Sequence, residues 1–496
     1  MKKTKTLFYT ISMIVFLSLA GCDDLSYIPK DQLSDALVEA NPQLLKNITI
    51  GNYSRLKGSN YLNNRHYAQE FPSDGVLLVK TTGAALLNSY NYQPLVNSNL
   101  TNQFWKEAYY GIYSANKVIE AIDDNDSAEF RQLKGENLFL RALMHFDLVR
   151  IFSRPYSQGP DNLGVMIRDN TDVSALPARS TVKETYEFIV KDLLKAADLM
   201  NTRKSSIFAN KETAWALLSR MYLYMEQNDK AIEYADKVIN SGRYSLVPTD
   251  KFGVYFTFLP ENNPENIFAI KVMETENYAK SSIGAIYELE GGWGEMYASP
   301  PYRKLIYKYP NDQRIKFINP YYQLDSNKNK IPDPTEECGF KVIKRNDISQ
   351  YFIDKYTKEN GVIMLSSPVV LRLAEMYLIK AEAFAKTGKN TESIDMVNII
   401  RKRAGLTSDQ LFTTADLKGY ATVLDVVLAE RFLELAWEGH RSFDQFRNNR
   451  SIDRTYVPAQ AWAGPKDIIP ANSKFIVHLI PESEMLLNPN LVQNPL

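Results

Sequence analysis

Along most of the chain, apolar residues recur at three- and four-residue steps, the spacing that gives an α-helix one oily face. Trp105, Ala108, Tyr109, Ile112, Ala115, Val118 and Ile119 make one such face, and Leu138, Ala142, Phe146 and Val149 make another in the next helix. Thr181-x-x-Glu184 is a capping-box pattern, in which the carboxylate reaches back to a free backbone N–H and marks a helix start. Between about 245 and 365 the periodicity breaks, and Pro, Gly, Asn and Tyr accumulate. That segment reads as a loop-rich insertion between a helical part at 41–244 and another at 366–496; binding residues concentrate on long loops held by a rigid frame. Strands are expected to be few, at residues 265–272 and 475–480.

Two stretches approximate the spacing of tetratricopeptide helix pairs. Trp215-x2-Leu218-Ser219-x2-Tyr222 is followed by Ala231-x3-Ala235, and Tyr377-x3-Ala381-x2-Phe384 is followed by Ser393-x3-Val397. Small residues at 219, 231 and 235 let two antiparallel helices approach closely, while Trp215 and Tyr222 fill the space beside them. The predicted fold class is mainly α: helix pairs of tetratricopeptide type, a loop-rich irregular half and few short strands.

The amino terminus changes the picture. Lys2, Lys3 and Lys5 precede an apolar run from Leu7 to Leu19 that contains Thr10, Ser12 and Ser18. The run is too short for a stable span and reads as a secretory signal over residues 1–21. Leu19-Ala20-Gly21-Cys22 then matches a bacterial lipobox, so Cys22 is the expected site of diacylglycerol attachment and residues 22–40 a lipidated tether. The one other cysteine, Cys338, cannot build a disulfide framework, so the exported fold stands on its own core. The 58 basic and 58 acidic residues balance, and no basic block occurs, which argues against a nucleic-acid partner.

Several segments, in order, resemble the SusD/RagB family. Asn102-Gln103-Phe104-Trp105 leading to Tyr109-Tyr110-x-Ile112-Tyr113-x-Ala115-Asn116 is similar to its first long helix. Glu136-Asn137-Leu138-Phe139-Leu140-Arg141-Ala142, with Phe146 to Arg150, is similar to its second. The run from Pro368 to Ala383 resembles the central C-terminal helix, and Glu430 to Asp444 resembles the late helix. Ile480-Pro481-Glu482-Ser483-Glu484, Asn488-Pro489-Asn490-Leu491 and Gln493-Asn494-Pro495 resemble the terminal segment. The resemblance implies an outer-membrane lipoprotein, lipid-anchored and facing the cell exterior. It further implies that the protein works with a SusC-like TonB-dependent transporter in polysaccharide uptake, binding glycans or, as in the RagB branch, peptides. Asp23-Asp24 looks like the acidic export signal of such lipoproteins.

Catalytic apparatus is not evident. Glu430, Glu434, Glu438, Arg441 and Asp444, with His440, lie along one expected helix. A glycosidase needs two carboxylates facing each other across a sugar, whereas these sit beside arginines and read as a structural ion-pair network. His66, His145 and His478 are scattered without metal spacing. The expected activity is therefore binding, with no cofactor required. From Asp325 to Glu336, oxygen donors at Asp325, Asn327, Asn329, Asp333 and Glu336, with the Ile331 carbonyl, follow EF-hand spacing. Lys330 replaces the glycine of the sharp turn and Lys328 adds positive charge. The loop therefore reads first as a solvated polar loop, with structural calcium as the alternative.

Sugars are recognised by flat aromatic faces together with amides and carboxylates. Two clusters carry such groups: Tyr67, Asp74, Tyr90, Asn91 and Tyr92, and, in the insertion, Trp293, Tyr297 and Tyr302. The glycines of Gly291-Gly292-Trp293-Gly294 leave the indole uncovered. Any single aromatic is more often packing than ligand contact, so these eight residues are ligand-binding candidates, and Trp293 tilts the reading toward glycans.

Overall fold

A computed structural model describes residues 42–79, 83–289, 291–457 and 467–495. The signal segment, Cys22 and the tether lie outside these. Residues Met1–Lys46 and Asn47–Leu496 separate as two units; of the first, the described part is the opening turn of helix α1 (Pro42–Leu56).

Within the second unit, helices stack on one another in chain order. After α2 (Ser59–Glu70) and the short α3 (Ala84–Tyr90) come α4 (Asn99–Ala121), α5 (Ala128–Phe152) and α6 (Val182–Leu199). Helices α7 (Lys211–Tyr224) and α8 (Asn228–Ile239) follow. Beyond the irregular stretch, which holds α9 (Pro300–Ile306), come α10 (Leu373–Lys386), α11 (Asn390–Arg403) and α12 (Val423–Glu434). Each of α4 to α7 packs on the next, α8 passes the stack to α10, and α10 packs on α11 and α12.

The capping box at the start of α6 forms as its spacing predicts: Glu184 N–H donates to Thr181 Oγ1 at 3.1 Å, and Thr181 N–H donates to the Glu184 carboxylate at 2.8 Å. In both tetratricopeptide-like pairs a serine closes the gap between helices. Ser219 Oγ donates to the Ala231 carbonyl at 2.9 Å across α7–α8, and Ser393 Oγ donates to the Ala381 carbonyl at 2.7 Å across α10–α11. Ala231, Ala235 and Ala381 are fully buried there, so only small side chains fit.

Helix α5 differs from its expected single apolar face, because from Leu138 to Phe152 every residue is buried. Helices lie on several sides of it, and its polar residues are buried with partners. Arg141 grips the Asp192 carboxylate by two bonds of 2.7 Å. Asp147 accepts from Tyr61, Arg65, Gln69 and Arg150. Burial alone would raise the Asp147 carboxyl, but Arg65 and Arg150 outweigh it and hold it at about 2.

Among the described residues the sheets are two-stranded and antiparallel: β1 (Val76–Leu78) with β3 (Met296–Ala298), β4 (Ile318–Pro320) with β7 (Tyr351–Ile353), β5 (Lys344–Arg345) with β6 (Ile348–Ser349), β9 (Ile452–Asp453) with β10 (Ile468–Ile469), and β2 (Asn266–Ala269) with β8 (Val369–Arg372). Strand β2 occupies the first predicted strand. The second, at 475–480, is not a strand. A 3-10 turn at Lys474–Ile476 opens it, and beyond that the backbone bonds to α5 and to side chains: His478 N–H donates to the Ile151 carbonyl, Gln493 Oε1 accepts from Ile480 N–H and Asn494 Nδ2 donates to the His478 carbonyl. The expected single late helix is also broken. Helix α12 ends at Glu434, Trp437 and Gly439 take left-handed backbone angles (φ 63° and 74°), and α13 (Arg441–Arg447) begins anew. The break drives the Trp437 ring into the core, where its Nε1–H donates to the Gly75 carbonyl at 2.9 Å.

Candidate ligand-binding site

The carboxylates of the late segment form a buried ion-pair lattice. Glu430 takes Arg314 at 2.6 Å and Arg401 at 2.9 Å; Glu434 takes Arg372 at 2.5 Å as well as Arg403; Glu438 takes Lys355 at 2.7 Å and Arg372 at 2.9 Å. Burial pushes the Glu434 carboxyl up, but Arg403, Arg372 and Arg314 outweigh it and keep it below the ordinary carboxylate range. Every one of these carboxylates is committed to cations that tie the irregular stretch to α10, α11 and α12.

Five of the eight ligand-binding candidates turn out to be buried, a correction to the sequence reading. Tyr90, Tyr297 and Tyr302 are 0% exposed, and Asp74 and Tyr92 are nearly so. Tyr90 and Tyr92 enclose the Arg454 guanidinium, which lies 4.1 Å and 5.1 Å from their ring centres. Tyr297 bonds Gln350 at 3.0 Å beneath Phe352, and Tyr302 packs 4.5 Å from Trp437. Asp74 is held by Arg441. Tyr67 and Asn91 are half-buried, the Tyr67 ring leaning on Phe71 at 4.9 Å. The aromatic enrichment that marked these segments therefore largely reflects packing of the irregular half against the helices.

Trp293 is different, with 54% of its surface exposed. The glycines around it serve the turn as much as they uncover the ring. Gly291 and Gly294 have positive φ, and a Cβ on Gly292 would sit 2.5 Å from the Glu288 carbonyl. Backbone bonds pin the loop: Trp293 N–H to Ala285 O at 2.6 Å, and Glu295 N–H to Ile286 O at 2.9 Å. From there the chain enters β3 (Met296–Ala298), which pairs with β1 (Val76–Leu78). The indole Nε1–H donates to the Lys280 carbonyl at 2.8 Å, and the Lys280 ammonium lies 5.2 Å from the ring centre. The ring is thus fixed at its edge while much of it faces solvent.

Three residues of this loop and its anchor were not singled out from the sequence. Tyr278 is 45% exposed, Lys280 braces the indole, and Asn63 on α2 donates to the Ser281 carbonyl at 2.7 Å, fastening the loop to the helical frame. Beneath the loop, His66 Nε2 bonds the Tyr287 hydroxyl at 2.8 Å; burial, then the Arg65 charge, lowers its pKa to about 3, so it stays neutral.

The EF-hand-spaced residues do not converge on one point. Asp325 Oδ1 accepts from the N–H groups of Asn327 and Asn329, both at 2.8 Å, closing a small turn. Asp333 does the same for Thr335 in a separate turn. The Ile331 carbonyl accepts from Lys341 N–H at 2.8 Å, and Glu336 turns away to Tyr351 at 2.9 Å and to Ser349. The segment is a pair of hairpin turns, held by bridges at Leu324–Lys330 and Pro332–Phe340. Cys338, half-buried, donates to the Phe340 carbonyl at 3.3 Å. Among the described residues no group of three His, Cys, Asp or Glu side chains is placed to hold a metal, and no helix is long and apolar enough to cross a membrane.

A stack of helix pairs carrying an irregular half with a pinned, exposed indole defines a helical-repeat protein whose loops present an aromatic platform. Residues 27–223 match the family described as "Starch-binding associating with outer membrane", and residues 341–496 match the SusD family. The chain belongs to the SusD/RagB family. SusD-like protein P38 of Formosa agariphila is 25% identical, with 91% of this chain and 93% of the relative covered. SusD-like protein P2 of the same organism is 24% identical over 100% and 99%. A SusD superfamily protein from Bacteroides thetaiotaomicron superposes with a TM-score of 0.79 at 27% identity, covering 92% of this chain and 99% of that one. Another, from Bacteroides vulgatus, gives 0.78 at 28% identity over 91% and 98%.

Proposed function

We propose that this protein is a lipid-anchored, surface-exposed nutrient binder that captures oligosaccharides at the Trp293 platform and passes them to a SusC-like TonB-dependent transporter in the outer membrane. The observation that carries the reading is the Trp293 ring, exposed yet fixed by its Nε1–H bond and by a backbone-pinned loop. A rigid aromatic face costs little entropy on binding and suits the C–H face of a pyranose. The family description, starch binding in association with the outer membrane, supports the same assignment. The lipobox at Cys22 supports the anchor.

The activity is reversible binding with no bonds changed. Glycosidic hydrolysis calls for a protonated acid opposite a second carboxylate. The late-segment carboxylates are each clasped by arginine or lysine, and Glu434 is held ionised. A peptide ligand, as in the RagB branch, is the alternative. The test is an array of glycans and peptides probed with purified protein. Binding to glycans alone supports the assignment, and binding to peptides alone replaces it with the alternative.

A further inference from the structure

The connection between α6 and α7 at residues 203–206 faces a turn at Pro260–Asn262 and the chain at Arg243–Tyr244 that leaves α8. Between them lies an open cleft of about 390 Å³ with mostly polar walls. The walls are tied together. Ser206 Oγ donates to the Pro260 carbonyl at 2.6 Å, Ala269 N–H to the Ser206 carbonyl at 2.9 Å, and Arg243 Nη2 to the Lys204 carbonyl at 3.0 Å.

Three cations line the cleft, and the carboxylates near them are already engaged. Lys204 pairs with Glu136, Arg243 with Glu212, and the lining Glu261 with Lys271 at 3.3 Å. Arg203 is exposed at the lip and makes no ion pair among the described residues. It leaves one guanidinium fork open to an incoming anion. The half-buried Tyr244 ring offers an aromatic wall, and the Ser205 hydroxyl and Asn262 amide offer hydrogen bonds for sugar hydroxyls.

We propose that this cleft is a second saccharide site, selective for a sugar unit bearing a carboxylate or sulfate group, with the anion on Arg203 and the ring beside Tyr244. The proposal rests on the reading of the protein as a glycan binder. It shares no residue with the Trp293 loop, so the two sites are separable.

The test is calorimetric titration of the purified protein with trigalacturonate, with its carboxyl-reduced counterpart and with a sulfated galactan trisaccharide. A charge-assisted hydrogen bond supports an effect of about tenfold. At least one acidic trimer binds, the reduced trimer binds about tenfold more weakly, and both Arg203→Ala and Tyr244→Ala weaken the acidic trimer about tenfold. Arg203 is exposed and unpaired, so its variant folds, and Trp293→Ala leaves the acidic trimer's affinity unchanged. The proposal is overturned if neither acidic trimer binds, if the reduced trimer binds equally well, or if Arg203→Ala has no effect. Loss on Trp293→Ala alone moves the anionic ligand to the platform. That outcome overturns this cleft while leaving the glycan assignment intact.

Discussion

Arg441 holds the Asp74 carboxylate with two hydrogen bonds, Nε to Oδ1 at 2.7 Å and Nη2 to Oδ2 at 2.8 Å, across 367 positions of sequence. The pair fastens the chain before β1 to α13, beside the point where the Gly75 carbonyl receives the Trp437 indole. Both members are nearly buried, so each would be stranded without the other. Asp74 is in consequence a structural residue rather than a sugar ligand.

Asp74→Ala should cost about 3 kcal/mol, the scale for breaking one side of a buried ion pair. Denaturant unfolding measures the loss, and glycan affinity below the transition should stay within twofold of wild type. Unchanged stability with abolished binding would return Asp74 to the ligand site.

A pH effect of a particular sign follows from Glu70, which accepts from Gly439 N–H and Ser73 Oγ, each at 2.9 Å. Burial raises its pKa from 4.5 to about 8, only partly offset by those two donors. A raised folded-state pKa contributes stability that is complete below the unfolded value of 4.5 and is lost as pH rises through about 8. The slope in that window is at most about 1.4 kcal/mol per pH unit. Glu70→Gln, uncharged throughout, should gain on wild type in thermal melts as pH goes from 5 to 8. A difference that does not change with pH contradicts this.

The two serines that close the helix pairs make a matched experiment. Ser219→Ala and Ser393→Ala should each cost about 1 kcal/mol, the net worth of one hydrogen bond. Ser219→Leu and Ser393→Leu should cost more, about 3 kcal/mol, because overpacking forces the helices apart. Chemical denaturation reads both series. Leucine variants as stable as the alanine ones would mean the helices do not need the close approach.

These elements differ in how far they can be read before folding. Capping at Thr181 and Glu184, the helical faces of α4 and the small residues of both helix pairs rest on interactions local in sequence, and their spacing reports them directly. That the late carboxylates are paired rather than catalytic was legible from the arginines around them, but their actual cations, Arg314, Lys355, Arg372, Arg401 and Arg403, come from other segments and were not. The break at Trp437 was not, since it depends on a pocket built by Gly75 and Tyr302, far away in the chain. The ligand-site clusters suffered from the same limit. A tyrosine in a loop carries no mark of whether distant helices will cover it, and Tyr90, Tyr297 and Tyr302 were covered. Trp293 is exposed in a turn that Gly291 and Gly294, both at positive φ, make possible. The oxygen pattern from Asp325 to Glu336 misled for a further reason: Asp and Asn also close their own tight turns, and that local use won.

Titrating Trp293→Ala and wild-type protein with the best glycan from the array bears most directly on the whole reading. The indole should supply at least tenfold of the affinity, with unfolding behaviour unchanged because the ring is exposed. Equal affinity in the variant, or glycan fragments accumulating during the titration, would contradict recognition at this ring.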